Sequence, residues 1–290
     1  NRPEVVLPHI ESYQPTMVVA FPETYVELCE HDFSKYDMSS IRLWFNGGDA
    51  AHETHIRKLL SVGTLERDGK TQVGSVFIDG LGSSEMGFSL FRGVHVPGSN
   101  TYNRCIGKPL DFVDAQVLGE NGEKLPPYQV GRLGIKSPTI TPGYWNDSVL
   151  TSRSQLQGYF LTGDLFYHDE EGRFYHVDRI PDVVRTQRGV LYSLQTEELV
   201  MKNFSEVADC TVVGVAANGR GTEAIMLVRL RRGVESSETE LLSRVNAMLT
   251  VEGRLTLRKV LFKRPTDIPL GPTGKVLKRE LREQYANSVH

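Results

Sequence analysis

The chain is poor in cysteine: Cys29, Cys105 and Cys210 are its only three in 290 residues. They are odd in number and widely spaced, with no C-x-x-C pair. That pattern excludes a disulfide scaffold or zinc ribbon and fits reduced thiols in a cytoplasmic protein. Long apolar runs are missing as well. The longest, such as MVVAF at residues 17–21, are strand-sized, so neither a membrane span nor a secretory signal is expected. Neither sign of charge dominates, with 33 Lys and Arg against 36 Asp and Glu and a net charge of −3. No overall field points to nucleic acid or a membrane surface. The basic stretch 254–282 holds nine Lys and Arg. Its aromatic interleaving is limited to Phe262, and Asp267 and Glu280 dilute its charge, so it reads as a solvated face rather than a nucleic-acid patch. The eight histidines have no metal-ligand spacing, and His52 and His55, close together on one helix, read as surface residues. There is no internal repeat and no low-complexity tract. The sequence opens NRPEVV, without methionine.

The length allows about two domains, each able to bury a core. Over the first hundred residues, strand and helix patterns alternate. TMVVAFP at 16–22 precedes a helical stretch through Tyr25, Leu28 and Cys29. IRLWFNGGDAA at 41–51 is a strand ending on a Gly-Gly turn, with a helix over 55–60 behind it. GSVFIDGLGSSE at 74–85 repeats the design. Alternation of this kind predicts a parallel α/β sheet whose ligands sit beyond the carboxyl ends of the strands. From about Gly107 the texture turns β-rich. Asn121-Gly122 stands between two alternating runs and predicts a hairpin. GRLGIKS and RFYHVD read as further short strands of a small barrel-like unit. Beyond Arg179 a third pattern begins: a helix over 197–204, strands ADCTVVGVA and EAIMLVRL, and a helix opened by Ser237 and Glu240 at capping-box spacing. A strand KVLFK and a basic C-terminal helix follow. The fold expected is therefore α/β: part of a large α/β domain over 1–106, a β-rich barrel-like subdomain over 107–178, and a small α+β C-terminal domain over 179–290.

Two stretches carry chemistry. IPLGPTGKVLKREL at 268–281 sets Lys275 behind a Gly/Pro turn and ahead of a helix, which points to a phosphate or to a plain turn. It is not a Walker loop: the glycines are too close, Val276 replaces the Mg²⁺-binding hydroxyl, and Pro265 and Pro269 break the approach. GYFLTGDLFYHDEEGRFYHVDRIPD at 158–182 places a Thr-Gly-Asp turn before a hairpin whose return strand closes on Asp178-Arg179. Asp164 and Arg179 together put an acceptor and a cation on neighbouring β ends, suited to ribose hydroxyls or a phosphate.

In their order, the motifs resemble those of the adenylate-forming (AMP-binding) superfamily of acyl- and aryl-CoA synthetases, luciferases and peptide-synthetase adenylation domains. FNGGDA resembles its Gly-Gly loop, DGLGSSEMG its Y-G-x-T-E-x-G motif, PGYWND its G-Y turn and YFLTGD its T-G-D motif. VDRIPDVVR resembles its Asp-Arg hinge segment and GPTGK its terminal lysine motif. The resemblance implies ATP-dependent activation of a carboxylic acid as its adenylate, with pyrophosphate released. Transfer would follow to coenzyme A or to a carrier protein's phosphopantetheine arm. Lys275 then bridges the acid's carboxylate and the phosphate. Gly48, Asp49 and Ala50 lie along the adenine, with Asp79 and Gly80 on its other side. Ser84 donates to phosphate, and Glu85 serves catalysis by holding Mg²⁺. Asp164 accepts from the ribose hydroxyls and Arg179 makes a second ribose or phosphate contact.

The pattern departs from the family in three places. Pro181 stands at the hinge position, where Asp or Lys is usual; it fixes φ but leaves ψ free. Gln187 and Arg188 precede Gly189 in the loop that lines the thiol channel, and Arg188 offers a cation there for a coenzyme A phosphate. The Ser/Thr/Gly-rich phosphate loop is absent, which implies a C-terminal part of a longer protein, partnered by the missing N-terminal half, or a shortened relative. The alternative to an acid–thiol ligase is a non-catalytic or partner-dependent nucleotide-binding module on the same fold.

Overall fold

Proline at the first turn, where no N–H is needed, opens both helices that cover the start of the sheet. These are α1 (Pro3–Tyr13) and, after β1 (Met17–Ala20), α2 (Pro22–Cys29). The computed structural model describes residues 2–48, 51–217, 221–272 and 274–286. β2 (Leu43–Asn46), α3 (Glu53–Leu60), an exposed hairpin of β3 (Thr64–Arg67) and β4 (Lys70–Val73), and β5 (Val76–Asp79) follow. β1, β2 and β5 run parallel, with Met17 beside Leu43 and Leu43 beside Val76. Leu7, Leu28, Ile41, Leu59 and Phe77 bury against them. The polar tips of the large aromatics in this core are satisfied rather than buried bare. Trp44 donates its indole N–H to Ser75 Oγ at 3.0 Å and Leu59 O at 3.1 Å, and the Tyr25 hydroxyl donates to Phe45 O at 2.7 Å.

β6 (Phe91–His95) and β7 (Cys105–Pro109) continue this sheet antiparallel. β8 (Asp114–Leu118), β9 (Gly131–Lys136), the short α4 (Ser148–Arg153), β10 (Gln155–Leu156), β11 (Tyr159–His168) and β12 (Phe174–Arg179) complete it. Strand order is β1-β2-β5-β6-β7-β12-β11-β9-β8, with β10 beside β11, so one hydrogen-bonded path joins the parallel and β-rich parts. A second core of Phe91, Ile106, Val117, Leu133, Ile135 and Phe166 fills the β-rich end.

A 3₁₀ turn at Ile180–Asp182 leads to the hairpin β13 (Val184–Thr186) and β14 (Gly189–Leu191). Then come α5 (Ser193–Asn203), β15 (Val207–Ala217), β16 (Gly221–Leu230), α6 (Glu238–Val251), β17 (Lys259–Phe262) and α7 (Lys278–Gln284). β16 lies between an antiparallel β15 and a parallel β17. Successive strand residues point to opposite faces. Val212, Met226 and Val228 pack on one side with Val200, Leu241 and Leu249; Val213, Val215, Ile225 and Leu227 pack on the other with Leu281. The molecule is thus mixed α/β, with one large and several small sheets.

Three local expectations change. Asn121-Gly122 does turn, with Gly122 at φ 87°, but the return makes only an isolated bridge from Leu118 to Lys124; β8 pairs with β9 instead. Ser237 does precede α6, yet its hydroxyl meets Thr239 Oγ1 at 3.2 Å and caps nothing. The Thr-Gly-Asp segment lies inside the ten-residue β11, where the register with β9 slips between Leu161 and Leu165.

Gly107 sits where the two parts of the sheet meet, at φ 78°, and a Cβ there would lie 2.0 Å from Arg92 O. Both the positive φ and the backbone clash oppose any side chain. Gly107→Ala is expected to cost about 2–3 kcal/mol, read as a lower denaturation midpoint with unchanged slope; an unaltered midpoint contradicts the strain.

Candidate functional site

β2 and β5 end side by side on Asn46 and Asp79, and that end of the parallel sheet opens into a cleft of about 690 Å³. Among the residues singled out from the sequence, Gly48, Asp79, Gly80, Ser84, Glu85, Asp164, Arg179 and Lys275 all line it. Asp49 and Ala50 lie outside the described residues. Asp79 is buried and accepts from Asn46 Nδ2 and from Gly80 N, each at 3.0 Å. Burial pushes its carboxyl up to about 6, against the pull of Asn46 and Arg104. At Gly80 a Cβ would lie 2.4 Å from Ser89 Oγ and 3.3 Å from Phe91 O, so a side chain there would force the serine hydroxyl to turn away.

The loop after β5 turns tightly. Met86 N and Gly87 N both donate to Ser83 O at 3.1 Å, which leaves the Ser84 and Glu85 side chains at the cleft. Thr141 N donates to Glu85 O at 2.7 Å, and the Tyr144 hydroxyl donates to Glu85 Oε1 at 3.2 Å. Tyr144 is itself oriented by its N–H bond to Thr151 Oγ1 at 2.9 Å. Glu85's own backbone N–H, with the Ser83 and Tyr144 hydroxyls, holds its carboxyl below the usual range despite partial burial. Tyr144 belongs to the PGYWND motif, but nothing in the sequence pairs it with Glu85 across 59 positions.

Strand pairing supplies the next pair. Asp164 on β11 stands opposite Arg179 on β12. Its Oδ1 lies 3.4 Å from Arg179 Nε and 3.8 Å from His176 Nε2, while Thr162 Oγ1 accepts from Asp164 N at 3.2 Å. His176 stacks on Phe166 at 4.8 Å between ring centres and also lines the cleft. The sequence marks it only as part of a strand, because alternation alone does not tell a buried histidine from a solvated one. Lys275 comes from the far end of the chain. Its carbonyl accepts from Gly271 N at 2.8 Å, closing the turn that presents it. At Gly274 a Cβ would be 3.4 Å from Glu23 Cβ, so this turn seats directly against the start of α2. Of the apolar residues in and just beyond the DGLGSSEMG stretch, Leu81 and Met86 line the cleft, Met86 from within the β-rich core, whereas Phe88 is 56% exposed and lies outside it. Arg188 is engaged elsewhere: its guanidinium bonds Thr256 Oγ1 at 3.1 Å and pairs with Glu223 at 3.4 Å.

An acceptor opposite a cation, an ionised carboxylate on a hydroxyl-lined turn and a lysine brought over the opening suit a nucleotide with its phosphates. Among the described residues, no group of three or more His, Cys, Asp and Glu is gathered to hold a metal alone. Mg²⁺ at phosphates needs only one or two carboxylates, keeping water and phosphate oxygens as its other ligands. Glu85 fits that use.

His52 and His55 are not surface residues; they are 9% and 2% exposed. Both lie at the junction with the C-terminal part. His52 Nδ1 meets Glu198 Oε2 at 2.7 Å, and His55 Nε2 meets Ala208 O at 3.1 Å. The sequence contains no sign of this, because the partners lie 146 and 153 positions away.

Residues 1–145 match the family of AMP-binding enzymes, and the chain belongs to it. A 3-aminoavenalumate diazotase from Streptomyces sp is 47% identical, aligned over 97% of this chain and 54% of its own length. A long-chain-fatty-acid–CoA ligase from Bacillus subtilis (strain 168) is 29% identical over 97% of this chain and 48% of its own. The solved structure of the anthranilate CoA ligase AuaEII in complex with anthranoyl-AMP superposes with a TM-score of 0.81 at 21% identity, covering 99% of this chain and 54% of that one. The chain spans about half the length of the curated relatives it matches. No helix among the described residues is long and apolar enough to cross a membrane.

Burial lowers the His52 imidazole pKa, but the Glu198 carboxylate more than offsets this and holds it above 6.5. Burial raises Glu198, yet His52, Arg104 and the Glu53 N–H bring it down from 4.5 to about 2. The raised histidine contributes stability that is complete below pH 6.5 and lost as pH climbs through its folded value. The depressed glutamate contributes stability that is complete above pH 4.5 and lost as pH falls toward about 2. The difference in melting temperature between wild type and His52→Gln should therefore be largest between pH 4.5 and 6.5 and shrink on both sides. A flat difference contradicts a charged pair.

Proposed function

We propose that this chain carries the nucleotide-gripping and lysine-bearing parts of an ATP-dependent adenylating ligase working in the cytoplasm. The observation that carries the reading is the convergence of Glu85, Asp164, Arg179 and Lys275, from four separate segments, on one cleft. Asp164 would accept from the ribose hydroxyls, and Arg179 would steady ribose or phosphate. Gly48 and Asp79-Gly80 would flank the adenine, and Ser84 would donate to a phosphate oxygen. Mg²⁺, held through Glu85, would neutralise charge on the triphosphate. The acid's carboxylate oxygen attacks the α-phosphorus and the bond to pyrophosphate breaks, leaving an acyl- or aryl-adenylate. Lys275 would orient both reactants and offset the charge that builds on the phosphoryl oxygens. A thiolate, of coenzyme A or of a carrier protein's arm, would then attack the acyl carbon and release AMP.

The relative of 47% identity favours a second reading at the same cleft. A diazotase turns an amine into a diazo group, which requires an electrophilic nitrosyl donor. Nitrite is an oxyacid anion like a carboxylate. Its attack on the α-phosphorus would give a nitrosyl–AMP anhydride, from which an aryl amine takes the nitrosyl group as AMP leaves. The resulting nitrosamine tautomerises to the diazohydroxide, which takes up a proton and loses water to give the diazonium. The same four side chains would serve both acids, because they would act on the ribose, the phosphates and an incoming oxyanion.

ATP–pyrophosphate exchange over aryl acids, fatty acids and nitrite separates the readings. It would be run on this chain, and on this chain with the polypeptide encoded just upstream. Exchange with carboxylates supports the ligase; exchange with nitrite, and diazo product once an aryl amine is added, supports the diazotase. No exchange with any of them, alone or complemented, leaves a binding module. Lys275→Ala should lower exchange by a factor of about 10²–10³ while nucleotide affinity stays within about threefold. Asp164→Ala should instead weaken nucleotide binding about 30-fold, as the loss of charge-assisted hydrogen bonds predicts. Equal loss of exchange and binding in Lys275→Ala overturns the assignment of the lysine.

A further inference from the structure

Lys275 reaches the cleft on a unit with its own core. Its buried apolar residues, from Val184 to Leu281, form clusters separate from those of residues 7–174. The chain passes between the two through the 3₁₀ turn at Ile180–Asp182. Polar side chains make much of the junction. Arg229 Nη1 meets Glu23 at 3.2 Å and also Glu27, Arg231 Nη1 meets Glu30 at 2.7 Å, and Thr54 Oγ1 donates to Met201 O at 2.9 Å.

One carboxylate stands out by where it looks. Glu197 and Glu198 are neighbours on α5. Glu197 serves its own unit, accepting from Val212 N at 2.7 Å and from Lys278 Nζ at 2.8 Å. Glu198 serves the other. It takes Glu53 N at 2.9 Å, pairs with His52 Nδ1 at 2.7 Å and lies 3.5 Å from Arg104 Nη1. Its side chain is 6% exposed, and those of His52 and Arg104 are 11% and 2%. A carboxylate buried this far is stable only while these donors are in place. If the units part, water and not the protein must satisfy it.

We propose that Glu198 is a positioning residue: seated against the start of α3, His52 and Arg104, it latches the C-terminal unit in the pose that holds Lys275 in the cleft. Neutralising it removes the charge that His52 and Arg104 face. The unit can then swing more readily about residues 180–182, against the remaining junction contacts of Arg229, Arg231 and Thr54, while Glu197, Lys278 and both of its apolar clusters keep it folded. The same contact makes Glu198 selective for pose over fold, since Glu53 N, His52 and Arg104 all belong to the other unit. The consequence for catalysis rests on the adenylation reading above; the latch itself does not.

The test is a distance. The native cysteines are all buried, so spin labels go on Tyr13→Cys and Val251→Cys, at positions 77% and 87% exposed on the two units. The unsubstituted protein should give one narrow distance. Glu198→Gln should broaden or lengthen it, an equilibrium shift on the order of 100-fold toward the open form. Glu206→Gln, which loses a 2.6 Å pair with Arg244 inside the C-terminal unit, should leave the distance unchanged. A narrow, unshifted distance in Glu198→Gln overturns the proposal, as does equal broadening in Glu206→Gln. Should Glu198→Gln fail to fold, His52→Gln attacks the same contact from the other unit and carries the same two outcomes. Pyrophosphate exchange, read alongside, should fall in Glu198→Gln with nucleotide affinity kept. A shifted distance with full exchange leaves the latch standing and counts against the lysine.

Discussion

The antiparallel pairing of β11 with β12 ties the candidate site to the C-terminal unit. It sets Asp164 opposite Arg179, so an acceptor and a cation face the cleft with no loop closure needed to bring them together. Its last residues are also the last of the large sheet. Immediately beyond Arg179 the chain turns through Pro181 and becomes the C-terminal unit. Asp178, one residue earlier, accepts from Ser193 N and from Ser193 Oγ at 3.0 Å. Burial raises its carboxyl to about 6, although Lys278 pulls the other way. The strand that builds half of the candidate ribose site therefore also anchors the start of α5. A small error in its register would disturb the site and the docking together.

The junction is polar for a physical reason. An apolar seam of the same size would be stabilised by area alone and would hold in any of several slid positions. Paired charges and directed hydrogen bonds favour one pose and lose most of their value when displaced by a few ångströms. Neighbouring Glu197 and Glu198 divide the task, one holding Lys278 and β15, the other reaching across to α3. Lys278 is three residues from Lys275, and Arg282, a turn further along α7, donates to Pro181 O at 2.9 Å and bonds Asp182 at 3.1 Å. The segment that presents the lysine is thus tied to the segment on which its unit would turn.

Much of this was legible because it is local. Two short strands leading into Gly-rich turns, an alternating pattern ending on Asp-Arg and a lysine behind a Gly/Pro turn are each written within a dozen residues. What was illegible is what depends on long-range partners. His52 and His55 carry the spacing of a surface helix face and are buried only because α5 and β15 arrive to cover them. Ser237 has the spacing of a capping box, but its hydroxyl finds Thr239 first. Asn121-Gly122 turns as its φ preference demands, yet the partner of β8 is chosen by the hydrophobic faces of β9, where Leu133 and Ile135 fill the core. Local chemistry sets the bend; packing decides the pairing.

On the reading of the cleft as an adenylation site, activation and the choice of acid are separable. Glu85, Asp164, Arg179 and Lys275 would act on ribose, phosphate and an incoming oxyanion, features that any oxyacid presents. None of them can tell a long chain from an aryl ring, or a carboxylate from nitrite, by more than reach. Discrimination must come from the walls, where contacts differ between substrates. Leu81 and Met86 form part of those walls, and Met86 is 1% exposed, locked into the β-rich core. A wall residue that is also core cannot be enlarged without moving the sheet behind it. The freer walls are those outside the core, and it is there that relatives named for a fatty acid and for an aminoavenalumate, each aligned over 97% of this chain, have room to differ.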